Sequence, residues 1–416
     1  DAHLLEMNSK SGLYPLYLAC SIYLMKLSKP EDEMPLEETQ RIWRETVAEN
    51  IFVLCRTKMA CSITRRTLVG YQDEWTVHAI SLPRLLDRMN DKVRLAHKLS
   101  NPKTWEIEGE RLKFDAIVGN PPYQLTGGSG GTNDAPIYQE FAMLAEQLEP
   151  EYTSLIMPAR WFSGGRESQL AEFRQYMLNN KHIRKMTVYT DSRAIFPEVE
   201  IKGGLCYYLV DNSKEGDCDY VLVRDGTKHQ TMRSLGDFDI LIREPMLAEI
   251  VKKAMVGNPQ TVDTLISGDT PFGIPTNPKE SAKSPIAVYQ NASEAHDVKL
   301  YHIENSKRKV EYISRDSVTK NVSLIDAEKV IIPKGYGAGE TYPHQILGEP
   351  EYAGSNSVCS QSYLTACFNS KEEAQNFITY LKTKFFRALV LSVKISQDAM
   401  SRVYRFVPIQ DFTKPW

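Results

Sequence analysis

The fold is decided by one segment of the chain, Phe114-Asp115-Ala116-Ile117-Val118-Gly119-Asn120-Pro121-Pro122-Tyr123, in which an apolar run leads into Asn-Pro-Pro-Tyr. A short apolar run of this kind predicts a buried strand, and α/β enzymes place their chemistry at the carboxyl ends of such strands. Two successive prolines fix φ and force an extended path through Asn120. The Asn120 side-chain amide and the Pro121 carbonyl can then point the same way.

Two oxygens that face one amine could activate an amine that is otherwise a poor nucleophile. An amine conjugated to an aromatic ring, such as the 6-amino group of adenine, is a poor nucleophile because its lone pair is delocalised. Accepting both of its hydrogens, on Asn120 Oδ1 and the Pro121 carbonyl, would localise that lone pair without a metal. Tyr123 can stack on the base, a contact of roughly 1 to 3 kcal/mol in single-stranded nucleic-acid sites. The alternative is that Asn-Pro-Pro-Tyr is only a turn that ends the strand.

The whole stretch, with Asp115 opening the strand, resembles the catalytic motif of amino-group S-adenosylmethionine methyltransferases. The resemblance covers residues 1 to about 245, and a softer one covers residues 407–416. It is to the adenine-specific DNA methyltransferases of bacterial restriction-modification systems, particularly type IIG-like enzymes. It implies S-adenosylmethionine as the cofactor, double-stranded DNA as the partner, and catalytic roles for Asn120, Pro121, Pro122 and Tyr123.

The start of the chain carries a second part of this pattern, because residues 3–12 precede an apolar stretch from Leu13 to Leu27. This order predicts a strand, a loop and a helix with Pro15 in its first turn. Such a loop presents backbone N–H groups to a ligand, and the alternative is a capped helix start. The segment resembles motif I of adenine methyltransferases, with Asn-Ser-Lys-Ser-Gly where most members have two or three glycines. The implied cofactor-binding residues are Glu6, which would meet the methionine ammonium, Asn8, Ser11, Gly12 and Asn120.

An acid for the cofactor ribose is missing from its usual place. Rossmann-like folds commonly carry this acid after the second strand, whereas the predicted strand at residues 50–54 is followed by Cys55 and Thr57. Asp87 and Asp91 lie in the interval where an acid for the cofactor's adenine is sought. The sequence therefore names no ribose ligand. A chain that has lost cofactor affinity, and acts as a non-catalytic DNA-binding specificity module, stays open as an alternative.

Two further segments are expected at the same edge of the sheet. Residues 153–162 are predicted to form a strand, and their Ala-Arg-Trp-Phe ending resembles restriction-associated adenine methyltransferases. Arg160 and Arg166 are candidates for DNA phosphate contacts, and a solvated surface role is the alternative for Arg166. Phe196, followed by Pro197 and an apolar strand, resembles motif VIII of the family. This implies that Phe196 stacks on an extruded adenine opposite Tyr123, with a core position as the alternative.

Between these segments, the glycine-rich residues 124–134 predict a mobile loop beside the site or a simple connector. A helix is expected from Pro136 onward, with Ile137, Phe141, Leu144 and Leu148 facing the core because they repeat at helical spacing.

Length and composition limit the class of protein. At 416 residues, with 42% hydrophobic and 25% charged residues, two ordinary globular domains are expected. No apolar run reaches about 18 uncharged residues, so no membrane span is predicted. The seven cysteines are scattered without a Cys-x-x-Cys pair, which predicts neither disulfides nor a zinc site and is consistent with a cytoplasmic protein.

The chain is predicted to be α/β, with a Rossmann-like methyltransferase domain over residues 1–245 and an α+β target-recognition domain over residues 246–416. A Pro- and Gly-rich segment at 257–285 is interpreted as a linker or loop region, followed by short strands and a helix over 371–390. The formal net charge of −3 means that DNA binding requires a local basic surface. Lys307, Arg308 and Lys309 are the candidates for it, or else solvated charges.

The resulting hypothesis is a site-specific adenine methyltransferase that flips its target base out of the duplex. Because Asp1 stands where the first strand is expected and no Met precedes it, we expect a piece of a longer polypeptide, to which a nuclease or helicase domain can belong. A protein-glutamine or RNA methyltransferase is the rival enzyme, because side-chain amides and exocyclic amines pose a similar problem.

Overall fold

A nine-stranded sheet forms the centre of the first of two units into which the chain divides, Asp1–Leu241 and Ile242–Trp416. The computed structural model describes residues 2–82, 84–124, 135–163, 170–199, 201, 203–280, 285–335, 346–394 and 399–416. The division falls four residues before the boundary predicted from the sequence. The functions predicted for the two parts stay predictions.

The strands of the large sheet are β1 (Leu4–Ser9), β2 (Ile51–Cys55), β3 (His78–Ser81), β4 (Ala116–Gly119), β5 (Tyr152–Pro158), β6 (Ile183–Tyr189), β7 (Leu205–Asp211), β8 (Cys218–Arg224) and β9 (Thr227–Arg233). Their order is β3-β2-β1-β4-β5-β7-β6-β8-β9. The first five strands run parallel, and β7 is antiparallel to both β5 and β6. Strand order reverses between β1 and β4, and a doubly wound sheet opens a crevice at the carboxyl ends of its strands at such a point.

Helices cover both faces of this sheet: α1 (Leu13–Lys26), α2 (Leu36–Asn50), α3 (Lys58–Val69), α4 (Leu85–Arg88), α5 (Lys92–Leu99), α6 (Tyr138–Gln147) and α7 (Ala171–Asn179). Successive residues of β2 belong to two different cores, because Ile51 and Val53 pack among α1, α2 and α3 while Phe52 and Leu54 pack with α5 and α6. A strand buried on both faces is typical of a parallel α/β sheet. The prediction of an α/β sheet is confirmed.

The second unit mixes helices with two three-stranded sheets. Its elements are α8 (Pro245–Ala254), β10 (Val298–Glu304), β11 (Lys307–Ile313), β12 (Glu328–Pro333), β13 (Glu351–Ala353), β14 (Ser357–Cys359), β15 (Tyr363–Phe368), α9 (Lys371–Leu381) and α10 (Lys384–Val393). The sheet orders are β11-β10-β14 and β13-β12-β15. Within the described ranges, no helix has the length and apolar character needed to cross a lipid bilayer.

Two predicted elements have different bounds. The strand expected over 153–162 ends at Pro158, and Ala159–Phe162 forms a 3-10 helix that turns Trp161 and Phe162 into the core. The single helix expected over 371–390 is two helices. The chain is extended at Thr383, and its side-chain oxygen accepts from the Phe386 N–H at 3.1 Å, so a new helix begins there.

The described residues of the segment predicted at 257–285, which are 257–280 and 285, form a loop region inside the second unit and not a linker between domains. Phe272 and Ile274 are fully buried in the core of that unit, because the loop packs against Val298 and Val358. Composition alone indicated the loop, but Phe272 and Ile274 gave no periodic signal of burial.

Candidate active site

The carboxyl ends of β1 and β4 lie side by side and open into a pocket of about 340 Å³, within the size range of small-molecule sites. The pocket brings together every residue that the sequence proposed for catalysis, base stacking or cofactor binding. These residues are Glu6, Asn8, Ser11, Gly12, Asn120, Pro121, Pro122, Tyr123 and Phe196. Their proximity is a fact of the structure, while their roles stay predictions.

The loop between β1 and α1 is held by a small polar network. The Gly12 N–H donates to Ser9 Oγ at 3.2 Å, and Ser9 Oγ lies 3.0 Å from Thr64 Oγ1 on α3. Thr67 Oγ1 donates to the Ser11 carbonyl at 2.6 Å. Gly12 precedes α1 without a side-chain cap, so the first N–H groups of the helix are left for a ligand.

Glu6 lies at the pocket with its carboxyl group buried. Its exposed fraction is 3%, and its Oε2 has no hydrogen-bond partner among the described residues. Desolvation raises the pKa of Glu6 to about 8, and a hydrogen bond from Ser9 offsets part of that effect. A buried, unpaired carboxyl group is costly, and a cationic group in the pocket would relieve that cost.

Asn8 joins the two strand ends directly. Its Nδ2 donates to the backbone carbonyl of Asn120 at 3.0 Å. Its own Oδ1 is buried and has no partner within the described part of the chain. An unsatisfied buried acceptor costs about 1–3 kcal/mol. Together with Glu6 Oε2, it forms a set of polar atoms that fits the ammonium and hydroxyl donors of S-adenosylmethionine.

The Asn-Pro-Pro-Tyr segment begins where β4 ends. Gly119 is required as the last strand residue because a Cβ there would lie 2.6 Å from the Met7 carbonyl oxygen. The described residues make no hydrogen bond to the Asn120 side-chain amide or to the Pro121 carbonyl. Both groups are therefore available to an amine in the pocket.

Two aromatic side chains line the pocket from different elements. Tyr123 follows the prolines and packs on the core of the sheet, and burial raises the pKa of its hydroxyl group. Phe196 is half-buried on a loop built around Ser192, which accepts from the Ile201 N–H at 2.7 Å and donates to the Val199 carbonyl at 2.8 Å. Phe196 therefore faces the pocket and is not one of the fully buried core aromatics.

Several residues that line the pocket were not proposed from the sequence, and the two side chains found in place of the ribose acid have other contacts. Lys10, Leu13, Tyr14, Val199 and Ile201 also line the pocket. Tyr14 stands in the first turn of α1, and that position was the available signal. The two side chains found in place of a ribose acid do not line the pocket, because Cys55 is buried beside Thr64 and Thr57 caps α3 by accepting from the Ala60 N–H.

The described candidates for DNA contact do not line this pocket. Arg160 is half-buried in the 3-10 helix after β5, and Arg166 lies outside the described residues, as do residues 125–134 of the glycine-rich segment. Arg308 and Lys309 of β11 have acidic partners. Arg308 Nη1 lies 3.8 Å from Glu351 Oε2, and Lys309 Nζ pairs with the Glu304 carboxylate. Lys307 is exposed and has no ion pair with a described residue.

Comparison with known protein families gives one match, over residues 49–196, to the model of the Eco57I restriction-modification methylase. This range contains Asn120 and ends at Phe196. A curated relative is the "Uncharacterized adenine-specific methylase" of Mycoplasma pneumoniae, 42% identical over 107 residues, which are 25% of this chain and 25% of that protein. The chain thus aligns with about a quarter of the length of this relative.

Solved structures share the architecture at low sequence identity. The type IIL restriction-modification enzyme MmeI in complex with DNA is 9% identical with a TM-score of 0.56, covering 97% of this chain and 61% of that chain. The type ISP restriction-modification enzyme LlaGI, a nuclease-deletion mutant with a DNA substrate mimic, is also 9% identical with a TM-score of 0.51, covering 96% and 43%. These similarities confirm the predicted Rossmann-like fold of the sheet.

Proposed function

We propose that the chain transfers a methyl group from S-adenosylmethionine to the exocyclic amine of an adenine in double-stranded DNA, because residues 49–196 match the model of the Eco57I restriction-modification methylase. We also propose which residues hold the cofactor and which act on the flipped base. The observation that best supports these assignments is the pocket itself. It joins the buried carboxyl group of Glu6 to the two free oxygens at Asn120 and Pro121.

The cofactor end of the pocket is proposed to lie at Glu6, Asn8, Ser11 and Gly12. The Glu6 carboxylate would accept from the methionine ammonium, and the N–H groups at the start of α1 would meet the carboxylate. When bound, S-adenosylmethionine supplies a methyl group already activated by its sulfonium. The protein therefore has to orient the nucleophile and stabilise charge, which are effective sources of rate enhancement.

The base end is proposed to lie at the Asn-Pro-Pro-Tyr segment. Asn120 Oδ1 and the Pro121 carbonyl each accept one hydrogen of the amine, so its lone pair is directed at the methyl group. The nitrogen would then form the new C–N bond as the S–CH₃ bond of the sulfonium breaks and the thioether S-adenosylhomocysteine leaves. The methylated nitrogen would lose one proton, to water or to a pocket group. Tyr123 and Phe196 would stack on the extruded adenine and offset part of the few kcal/mol needed to unstack it.

The partner and context follow as further proposals. Residues 246–416 are proposed to read the DNA sequence. The proposed phosphate contacts are Arg160 and Arg166 in the methylase domain and Lys307, Arg308 and Lys309 in the second domain. A nuclease or helicase domain in a longer polypeptide is compatible with this arrangement.

The catalytic proposal is tested by Asn120→Ala. We expect DNA affinity within about threefold of the parent, and a methylation rate lower by roughly 100- to 1,000-fold, the range seen when one preorganised hydrogen-bonding group is removed from an active site. Transfer of labelled methyl groups to duplex DNA measures the rate. The control is Asn212→Ala, because Asn212 donates to the Pro150 carbonyl at 2.8 Å beside the amino end of β5, at the opposite edge of the sheet. Near-normal turnover by Asn120→Ala would refute the assigned role.

The same assay separates the rival functions. Methyl transfer to RNA or to a protein amide, with none to DNA, would favour the rival enzyme. Absence of S-adenosylmethionine binding by calorimetry would instead favour a non-catalytic specificity module.

A further inference from the structure

Asn8 has a backbone conformation that sets it apart from the rest of β1. Its φ is +79°, in the left-handed region that asparagine tolerates better than most residues. The pairing of β1 with β2 shifts at this point, because Met7 pairs with Leu54 and Ser9 already pairs with Cys55. Asn8 is therefore the extra residue of a bulge, and bulges re-aim side chains next to active sites.

The re-aimed side chain continues the contact between β1 and β4 beyond the last backbone pair. The two strands pair from Leu4–Ala116 to Met7–Gly119. One position further, the Asn8 amide donates to the Asn120 carbonyl at 3.0 Å. The peptide that follows Asn120 has no N–H of its own because its nitrogen belongs to Pro121. Its carbonyl is the only backbone group by which a hydrogen bond can fix the orientation of that peptide.

The other end of the Asn8 amide faces the pocket without a partner. Asn8 is 4% exposed and lines the pocket. Since the Asn120 carbonyl can only accept a hydrogen bond, the NH₂ group of Asn8 must face it. Oδ1 is thus left as the group toward the ligand, and it is buried and unpaired among the described residues. Glu6, two residues earlier on the same strand, has an unpaired carboxyl oxygen at the same pocket.

We propose that Asn8 is a positioning residue that links the cofactor to the catalytic loop, with Oδ1 accepting a hydrogen bond from the cofactor and Nδ2 holding the Asn120–Pro121 peptide in its productive orientation. The inference rests on the proposed function and deepens it. Asn8 lies in the Asn-Ser-Lys-Ser-Gly segment, where this chain departs from the usual glycine-rich motif. A donor from the cofactor would polarise the amide and strengthen its bond to Asn120.

Two substitutions in the complete chain separate the two halves of the amide. Asn8→Asp keeps an acceptor toward the pocket but loses the donor and sets an oxygen against the Asn120 carbonyl. We expect kcat to fall by about 10- to 100-fold, since small misplacements of reacting groups have effects of this order. The Kd for S-adenosylmethionine, measured by calorimetry, should stay within about threefold of the parent.

Asn8→Gly removes both halves and suits the positive φ, so the backbone is preserved. We expect the same loss in kcat and a Kd for S-adenosylmethionine weaker by about tenfold, the effect of one lost hydrogen bond. The matched control is Asn50→Asp, because Asn50 is also buried and donates to a backbone carbonyl, that of Ala2 at 2.8 Å, at the other end of β1. This control should leave both kcat and Kd unchanged.

The outcomes distinguish this inference from the proposed function. If the parent binds the cofactor and methylates DNA while Asn8→Asp keeps the parent kcat, the positioning role is wrong and the function stands. An unchanged Kd in Asn8→Gly would overturn the cofactor contact in the same way. If the parent itself neither binds S-adenosylmethionine nor methylates DNA, the proposed function fails and the inference fails with it.

Discussion

At the scale of single residues, Glu6 makes the cofactor site sensitive to pH. Desolvation raises its pKa to about 8, so the carboxyl group is mainly protonated in the free protein at pH 7. An ammonium group bound beside it would favour the ionised form. Cofactor binding at pH 7 should therefore release close to one proton from Glu6. Calorimetry in buffers with different ionisation enthalpies measures this proton count, and Glu6→Gln should bring it near zero.

The free protein provides the control for this prediction. The folded pKa of Glu6 lies above its ordinary value of 4.5, so its contribution to the free energy of unfolding is full below that value. It is lost as pH rises through about 8. In urea unfolding, the free energy of unfolding of Glu6→Gln should therefore rise relative to that of the parent between pH 4.5 and about 8. Above about pH 8 the difference between the two proteins should stay constant. A difference between the two proteins that does not vary with pH would contradict the raised pKa.

Several residues of the site were predictable because they depend on strand direction alone. Glu6 lies within β1 and Asn120 directly follows β4, and the carboxyl ends of such neighbouring parallel strands meet at one edge of the sheet. The Asn8 contact was not predictable, because a bulge with positive φ turns the side chain toward β4. The missing acid after β2 was noted from the sequence, whereas the hydrogen bond between Ser9 and Thr64 depends on how α3 packs.

At the scale of elements, the start of α1 is fitted closely against α3. A Cβ at Gly12 would lie 2.8 Å from Thr64 Cα and 2.8 Å from Thr67 Cβ, and the φ of Gly12 is +77°. Gly12→Ala should cost about 1–2 kcal/mol for the left-handed backbone, and about 1–3 kcal/mol more because α1 must move. Urea unfolding measures the stability, and we expect weaker S-adenosylmethionine binding in parallel.

Gly226, between β8 and β9, separates these two costs. Its φ is +76°, close to that of Gly12, and no atom lies within 4 Å of a Cβ built there. Gly226→Ala should therefore show the backbone cost alone and leave cofactor affinity unchanged. Equal losses of stability in both variants would mean that the packing of α1 on α3 contributes nothing.

Element bounds were predictable where an apolar stretch is continuous and failed where a single side chain decides. The helix predicted over Leu13 to Leu27 agrees with α1 to within one residue. The helix over 371–390 breaks because Thr383 caps a new helix, and the apolar stripe runs through that break. The strand over 153–162 bends at Pro158, where the following apolar residues are buried in a 3-10 helix.

At the scale of the whole molecule, length and composition predicted two units, whereas the expected boundary at residue 245 came from the extent of the family resemblance. Length and composition do not show which basic residues pair with acidic ones. The three basic residues of β11 look equivalent in the sequence, yet Arg308 and Lys309 each have an acidic neighbour. Charge pairing depends on which strands are adjacent, and this is a property of the fold.

This difference gives a prediction for DNA binding by a protein of formal net charge −3. A lysine already paired with a carboxylate exchanges one partner for another when it meets a phosphate, so its effect on the salt dependence is small. Lys307 has no such partner among the described residues. Lys307→Ala should therefore reduce the slope of log K against log salt by about 0.9, the value for one phosphate contact. Lys309→Ala should change it less.

The control for this prediction is Lys113→Ala, because Lys113 is exposed just before β4, at the edge of the sheet opposite Asn120. Fluorescence anisotropy with a duplex at four or more salt concentrations gives the slopes. Equal slopes for the parent and Lys307→Ala would mean that β11 is not part of the DNA-binding surface. A change in Lys113→Ala as large as that in Lys307→Ala would mean that the slope reports net charge rather than a contact. The proposed assignment of residues 246–416 to DNA recognition would then lose its electrostatic support.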